Sequence, residues 1–416
     1  HGQSYPHLKD KFSKTCHIGS NVDSFGHGNT LPQILKKSGM DSYVFMRPRL
    51  DTPVFTWESD DGSTVNALSL PAEYTTWFLE PTIKNINQTL ERTKGWDRMP
   101  CCYGVGDHGG GPTKENIESI ISLKNKFKYA ALKFSTYDSF FADIDKSGLK
   151  TTAGSFEKVN GGCYSMDSGI KKSNRLAERR LVEADCLMSL AASINRKWPE
   201  ENAKMESLWE MVLFNQFHDT LGGTAIRPAR DEAVMQLHSA AAQGGIIKAL
   251  AIQSVANNID TRGEGFPLFL FNTRGCGYDG YVDVELDWFC RDPLAILDPE
   301  GNEVPYQRIN TYAKVTHTVL GGRRRVLFKA YMPPYGYAMY RLLIKEPGFS
   351  KDESYFLGDS DDYCVENKFI RAEFDQESGA LANLTDKQNN YNAMTSPVEL
   401  QVWIDQRDTW GGDQRR

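Results

Sequence analysis

The sequence has 416 residues, 40% of them hydrophobic and 25% charged, with 48 lysines and arginines against 54 aspartates and glutamates, for a net charge of −6. This length favours two to four domains, and the ordinary composition excludes a disordered or fibrous protein. The negative charge argues against a nucleic-acid partner. No apolar run approaches the roughly 20 residues that span a bilayer, which argues against a membrane partner.

The cysteines give information about the cellular compartment. There are eight in the chain, and none forms a Cys-x-x-Cys pair, so neither a disulfide framework nor a zinc ribbon is indicated. Reduced thiols favour a cytoplasmic location. Export is left open, because the sequence begins at His1 without a methionine or a leader segment.

The first 160 residues alternate between strand-like and helix-like patterns. The predicted strands are residues 15–19, 42–46, 102–106 and 130–136, with one helix at 30–39 and another after Thr113. Strands that alternate with helices indicate a parallel α/β sheet or barrel. In such folds the chemistry gathers on loops after the carboxyl ends of strands, and Asp23 and Asp107 both fall on loops of this kind.

Two changes of pattern follow. Apolar residues at helical spacing predict three helices within residues 161–257, at 174–192, 205–217 and 231–255, which indicate a small helical bundle. From residue 258 to 416 the pattern becomes that of short strands separated by turns rich in Gly, Pro and Asp, for example at 267–271, 281–285 and 325–329. The third region is therefore predicted to be β-rich.

Three short stretches pair a carboxylate with a histidine, at residues 23–27, 107–108 and 218–219. Each alone has a structural explanation: a capped turn, a tight glycine-rich connection, and a histidine that complements a helix dipole. Together they favour chemistry, since two carboxylates on separate loops can serve as the nucleophile and general acid of a glycosidase, and His and Asp can bind a metal. Nearby aromatic residues could stack on sugar rings: Phe25, Trp57, Trp77 and Tyr103.

Longer motifs around these pairs resemble those of a known family. They are Asn-Val-Asp-Ser-Phe-Gly-His at 21–27, Leu-Pro-Gln-Ile-Leu at 31–35, Gly-Asp-His-Gly-Gly-Gly-Pro-Thr at 106–113 and Asn-Gln-Phe-His-Asp at 215–219. In this order they are similar to the motifs of the glycoside hydrolase family 38 α-mannosidases. The resemblance implies a barrel-like parallel α/β catalytic domain at 1–160, a three-helix bundle at 161–257 and a β-sandwich region at 258–416.

The resemblance also implies roles for individual residues. Asp23 matches the catalytic nucleophile, which also ligates zinc, and His218 matches a second zinc ligand. Asp107 matches the general acid/base. The residues implied to bind substrate are Phe25, Arg47 and Asp219.

One motif of the family does not occur in this sequence. The metal-binding His-x-Asp of an early strand has no match, since His1, His7, His17 and His27 are followed two positions later by Gln, Lys, Gly and Asn. We therefore expect the amino-terminal part of the catalytic domain and the end of the β-sandwich region to lie outside this sequence. Two of the four protein ligands for Zn²⁺ are expected in that missing part.

The resulting hypothesis is a zinc-dependent retaining α-mannosidase that removes terminal α-linked mannose from oligosaccharides or glycans through a covalent mannosyl-enzyme intermediate. One alternative is a zinc hydrolase of another bond, such as a deacetylase, which would use the same ligand types. A second alternative is a carbohydrate-binding protein without catalysis. Homo-oligomerisation is left open by the sequence, as are the linkage specificity and the natural glycan.

Overall fold

The computed structural model describes residues 9, 11–107, 109–127, 129–157, 160–194, 199–286, 294–309, 324–344, 363–398, 400, 404–405 and 414–415. The helices in these ranges are α1 Leu31–Lys37, α2 Leu79–Arg92, α3 Lys114–Leu123, α4 Tyr137–Asp143, α5 Ser168–Ile194, α6 Pro199–Phe214, α7 His218–Gly222 and α8 Arg227–Ala256. None of these described helices has both the length and the apolar character needed to cross a bilayer.

The strands of the same ranges are β1 Ile18–Asn21, β2 Ser42–Phe45, β3 Val54–Glu58, β4 Thr64–Ser69, β5 Thr151–Ala153, β6 Phe266–Phe271, β7 Tyr278–Leu286, β8 Leu294–Leu297, β9 Glu303–Val304, β10 Tyr306–Ile309, β11 Arg324–Met332, β12 Tyr337–Ile344, β13 Cys364–Glu366, β14 Ile370–Phe374, β15 Leu381–Asp386, β16 Tyr391–Asn392, β17 Ile404–Asp405 and β18 Gln414–Arg415. The chain forms two compact units. Unit 1 comprises His1–Lys171, Gln216–Ala233 and Asp405–Arg415, and most of unit 2 is Lys172–Asn215 and Val234–Ile404.

Unit 1 contains a five-stranded sheet in the order β1-β2-β4-β3-β5. Its neighbouring strands are parallel except for β3 and β4, which form an antiparallel pair. All four residues of β2 are buried, as expected for a central strand covered on both faces. The parallel pairing of β1 with β2 and of β2 with β4 brings their carboxyl ends to one edge of the sheet.

The two faces of this sheet form two separate hydrophobic cores. On one face Tyr43 and Phe45 pack with Trp57 and with Leu35 of α1. On the other face Val44 and Met46 pack with Val54, Leu68 and two phenylalanines of α4. Successive residues of β2 therefore enter opposite cores, because successive side chains of a β-strand point to opposite faces of the sheet.

The strand and helix predictions for the first 50 residues agree with the structure within a few residues. Two later strand predictions are wrong. Residues 130–136 contain no strand, because most of this segment is exposed and pairs with no described strand. Residues 102–106 form only isolated bridges, from Gly104 to Thr76 and from Val105 to Gly111. The glycine-rich segment turns back on itself there and does not extend into a ladder.

Unit 2 contains most of α5, all of α6 and most of α8. Helices α5 and α8 approach closely at Gly244, where an added Cβ would lie 2.7 Å from the Leu181 side chain. An ion pair between Lys248 and Glu183 (2.9 Å) and a hydrogen bond between Ser173 and His238 (2.9 Å) join the same two helices. Just beyond α6, the Asn215 amide donates to a side-chain oxygen of α8.

The described strands of the β-rich part of unit 2 form three sheets with the orders β10-β11-β7, β6-β12-β8-β9 and β13-β14-β15-β16. The first two contribute to one hydrophobic core, in which Val326 and Phe328 of β11 lie in the same cluster as Ile296 of β8 and Leu342 of β12. Strand β7 alternates between exposed and covered residues along most of its length, as a strand with one solvated face does. At this level the prediction of a mixed α/β protein with a β-rich third region is confirmed.

Candidate active site

Asp23 lies two residues after the end of β1, at the carboxyl edge of the unit 1 sheet. Its Oδ1 is 2.6 Å from Nη1 of Arg47, which also donates to the Asp23 carbonyl oxygen at 3.2 Å. Arg47 follows the adjacent parallel strand β2, so the topology itself brings the two residues together. The ion pair orients the carboxylate, whose side chain keeps 20% of its surface exposed.

His27 supports the Asp23–Arg47 pair from the core, through the backbone of Arg47. It is 4% exposed, its Nε2 is 2.9 Å from the carbonyl oxygen of Arg47, and its Nδ1 is 3.0 Å from the hydroxyl of Tyr43. Burial lowers the pKa of His27 to about 4, so the ring is neutral near pH 7. Nε2 therefore donates to the carbonyl and Nδ1 accepts from Tyr43. The histidine of the 23–27 stretch belongs to the core and does not face Asp23 as a partner.

The loop that carries Asp23 is held by contacts with Phe156 and Tyr164. Backbone hydrogen bonds in both directions join His27 to Phe156, at 3.2 and 2.8 Å. The Tyr164 hydroxyl donates to the Phe25 carbonyl oxygen at 2.7 Å. Gly26 has a φ of 131° and leaves room for this contact, since an added Cβ would lie 2.2 Å from the Tyr164 oxygen.

His218 and Asp219 open the short helix α7, which belongs to the same compact unit as Asp23. Nε2 of His218 lies 3.5 Å from Oδ2 of Asp23 and 3.7 Å from Oδ2 of Asp219. The Phe25 ring meets the His218 ring edge-on at 6.5 Å, and the Arg47 guanidinium lies 5.4 Å from the Phe25 centroid. Five of the six residues proposed from the motifs are therefore neighbours.

The donor set of this cluster fits a metal ion. Two ligands on a tetrahedral zinc, with bonds of about 2.0–2.2 Å, lie about 3.4 Å apart. The Asp23 and His218 donor atoms are 3.5 Å apart, which is close to that spacing and long for a direct hydrogen bond. Among the described residues no group of three or more His, Cys, Asp or Glu with metal-binding geometry is found. Within this part of the chain the cluster therefore offers two donor atoms at a spacing that suits a metal ion.

The backbone of Asp107 is connected to Asp23 through the hydroxyl of Tyr74. Its backbone N–H donates to the Tyr74 hydroxyl at 3.2 Å, and that hydroxyl donates to Oδ2 of Asp23 at 3.4 Å. Burial and the neighbouring Asp23 charge raise the pKa of Tyr74, so its proton stays in place. Asp107 itself is exposed and has a φ of 67°, in the left-handed region. His108, the next residue of the motif, lies outside the described residues.

Thr75, next to Tyr74 in the sequence, binds the backbone of the same glycine-rich loop. The Gly106 N–H donates to Oγ1 of Thr75 at 2.8 Å, and Oγ1 donates to the Gly104 carbonyl oxygen at 3.0 Å. An added Cβ on Gly106 would lie 2.9 Å from the side chains of both Tyr74 and Thr75. Glycine is therefore required at 106 for the hydroxyls to reach the backbone of this loop.

Tyr74 and Thr75 are the site residues that the sequence analysis missed. They belong to no recognised motif, but they follow β4, whose carboxyl end lies at the same edge as those of β1 and β2. The rule used for Asp23 would find them only once the position of β4 in the sheet is known, and no strand was predicted there. Of the proposed stacking residues, Trp57 is fully buried and its indole N–H donates to the Gly154 carbonyl oxygen, so it is a core residue.

Comparison with known families identifies the class of protein to which this chain is similar, the glycoside hydrolases. Residues 1–160 match the family model described as the glycosyl hydrolases family 38 N-terminal domain. Residues 160–255 match the alpha mannosidase middle domain. The chain belongs to glycoside hydrolase family 38, and the resemblance predicted from the motifs is confirmed.

Individual relatives agree with this assignment. Alpha-mannosidase 2C1 of Mus musculus is 25% identical over 397 residues, which are 92% of this chain and 34% of that protein. Alpha-mannosidase G of Dictyostelium discoideum is 28% identical over 250 residues, which are 57% of this chain and 22% of that protein. The chain spans about a fifth to a third of the length of these curated relatives.

A solved structure supports the fold. The crystal structure of an alpha-mannosidase from Enterococcus faecalis V583 superposes with a TM-score of 0.67 and 19% sequence identity. The superposition covers 94% of this chain and 50% of that one. At this identity the likeness concerns the fold alone.

Proposed function

We propose that this chain is part of a zinc-dependent retaining α-mannosidase that removes terminal α-linked mannose from oligosaccharides. The observation that carries the proposal is the environment of the Asp23 carboxylate. One of its oxygens is paired with Arg47, and the other lies within 3.5 Å of both His218 and the Tyr74 hydroxyl that binds the Asp107 loop. A carboxylate at Asp23 and a second aspartate, Asp107, whose backbone binds the same tyrosine, suit the two roles that a retaining glycosidase requires.

In the first step Asp23 attacks the anomeric carbon of the mannose and forms a covalent ester, while the bond to the leaving oxygen breaks. Asp107 gives its proton to that departing oxygen, so the aglycone leaves as a neutral alcohol. The Arg47 ion pair holds the attacking carboxylate in a single orientation. This pre-positioning lowers the entropic part of the barrier.

In the second step water hydrolyses the ester. Asp107, now ionised, takes a proton from the water as its oxygen attacks the anomeric carbon, and Asp23 is released as a carboxylate. The anomeric configuration is inverted twice and so retained. Asp107 ends the cycle protonated, ready for the next substrate.

Asp23 and His218 would hold the zinc ion, which when bound supplies Lewis-acid polarisation and an anchor for sugar hydroxyls. Asp219, whose side chain is half exposed beside His218, is suited to accept hydrogen bonds from mannose hydroxyls. Phe25 offers an apolar ring next to the same cluster.

The same proposal includes the domain architecture of the chain. The contacts between α5 and α8, and between the end of α6 and α8, support a three-helix bundle within residues 161–257. The core shared by two sheets supports a β-sandwich in 258–416. The residues after Ala153 lead into the helical region, and we propose 1–160 as the part that belongs to a barrel-like catalytic domain.

The test is made on the full-length enzyme with p-nitrophenyl α-mannoside. We expect turnover with retention of configuration, one zinc per active site, and loss of activity on chelation that added Zn²⁺ restores. His218→Ala should lower the zinc content while the circular dichroism spectrum stays unchanged. His238→Ala is the matched control, because that histidine contacts Ser173 in unit 2.

Two results would contradict the proposal. Stoichiometric zinc in His218→Ala would remove the ligand assignment. Hydrolysis of an acetylated sugar without any release of mannose would favour a deacetylase.

A further inference from the structure

The helix that presents His218 and Asp219 is very short. Helix α7 has five residues, so none of its last four carbonyl oxygens can be satisfied by a continuing helix. Two of these carbonyls are bound by the backbone that follows. The Asp219 oxygen accepts from the N–H groups of residues 224 and 225, and the Thr220 oxygen accepts from that of residue 223.

The remaining two carbonyls are bound by a lysine. Nζ of Lys171 lies 3.1 Å from the carbonyl oxygen of Leu221 and 3.4 Å from that of Gly222. The same ammonium group donates to the carbonyl oxygen of Met166. A cation at the carboxyl end of a helix also complements the helix dipole, which adds to the attraction.

The segment around Lys171 is itself anchored. Asp167 receives two hydrogen bonds from the Arg230 guanidinium, at 2.6 and 3.1 Å, one from Nε and one from Nη2. Arg230 lies in the first part of α8, and Lys171 lies in the first turn of α5. The lysine therefore connects α7 to a segment that is fixed by a bidentate ion pair.

We propose that Lys171 is a positioning residue that fixes the direction of α7 and thereby places His218 and Asp219 beside Asp23. Lys171 touches neither residue directly and acts through the carbonyls at the opposite end of the helix. Its half-buried ammonium is costly to desolvate, and burial lowers the pKa of Lys171. The inference rests on the proposed function only for its effects on zinc and catalysis; the effect on α7 is independent of it.

The experiment compares Lys171→Met with Lys171→Arg in the full-length enzyme. Methionine keeps most of the apolar stem but loses the donors, whereas arginine keeps a cation. We expect Lys171→Met to weaken Zn²⁺ binding about 10-fold or more, as loss of outer-shell support does, and to lower kcat/KM by a similar factor. Lys171→Arg should recover both to within about threefold.

Two further measurements separate positioning from simple stabilisation. Hydrogen exchange in residues 216–225 should accelerate at least about 10-fold in Lys171→Met while the rest of unit 1 is unchanged. Lys248→Met is the matched control, because Lys248 is also a half-buried lysine but pairs with Glu183 in unit 2. It should leave zinc affinity, kcat/KM and exchange in 216–225 at wild-type values.

The outcomes are distinguishable. Wild-type exchange in 216–225 together with wild-type zinc affinity in Lys171→Met overturns the proposal. If that variant does not fold, Lys171→Gln is measured in the same way, and if both unfold, Lys171 is a stability residue and the proposal is wrong. If the wild-type enzyme neither binds zinc nor releases mannose, the proposed function fails, and the exchange measurement still decides the role of Lys171.

Discussion

The two carboxylates of the candidate site are held by different physical means. Asp23 is mostly buried and paired with the Arg47 guanidinium. The buried ring of His27 in turn binds the backbone carbonyl of Arg47. Asp107 is exposed on a glycine-rich loop, where its own N–H donates to the Tyr74 hydroxyl and the Gly106 N–H donates to the Thr75 hydroxyl. A nucleophile must keep one position throughout the reaction, whereas a general acid must follow the leaving oxygen, and the two kinds of support match these demands.

The largest expected effect is at Asp23, the more firmly held of the two aspartates. Asp23→Ala should lower kcat by at least about 10⁴-fold, because no other group can form the ester. A slow fluoro-sugar substrate should label the peptide that contains Asp23, as peptide mass spectrometry would reveal. A label found on another carboxylate, with Asp23 unmodified, would disprove its assignment as the nucleophile.

Asp107→Ala should show an effect that depends on the substrate. A general acid contributes about 10²–10⁴-fold when the leaving group is poor, and much less when it is activated. We expect a large loss of kcat/KM on a mannose disaccharide and a small one on an aryl mannoside. Equal losses on both, or a drop in Tm that parallels the loss of activity, would indicate that Asp107 only braces its loop.

The buried support of Asp23 predicts a pH effect on stability. The folded-state pKa of His27 is about 4 and its ordinary value is 6.5, so between these values the unfolded chain binds the proton more readily. Folding stability should therefore fall as pH drops from 6.5 to 4, by up to about 3 kcal/mol from this group. Urea unfolding of the wild type and of His27→Gln across that range measures it. Equal pH slopes in the two proteins would contradict the prediction.

The smallest expected effect is at Tyr74, which links the Asp23 carboxylate to the Asp107 backbone. Tyr74→Phe removes one hydroxyl that bonds both Asp23 and the Asp107 backbone, and the loss of a neutral hydrogen bond costs about 1 kcal/mol. We expect kcat to fall about fivefold, with KM nearly unchanged, in steady-state assays. Tyr391→Phe serves as the control, since that tyrosine is exposed in β16 of unit 2. An equal effect in the control would count against the link.

The sequence was most informative where local patterns determine structure. The strand and helix around residues 18–45 and the long helices α5 and α8 follow from apolar periodicity, and the motifs identified residues that do lie together. Tyr74 could not be identified in that way, because its role depends on where β4 ends relative to β1, a tertiary property. Similarly, His27, four residues after Asp23, was assigned to the core only once its contacts with Tyr43 and Arg47 were known.

Gly26 has a consequence for any survey of variants in this enzyme. It carries no functional group, yet a side chain there would collide with the Tyr164 hydroxyl and with the backbone of residues 156 and 157. A scan of all substitutions would therefore rank position 26 as intolerant alongside Asp23, three residues away. The two would separate once protein abundance is recorded with activity, because replacement of Gly26 should deplete folded protein and replacement of Asp23 should leave an intact but inactive one.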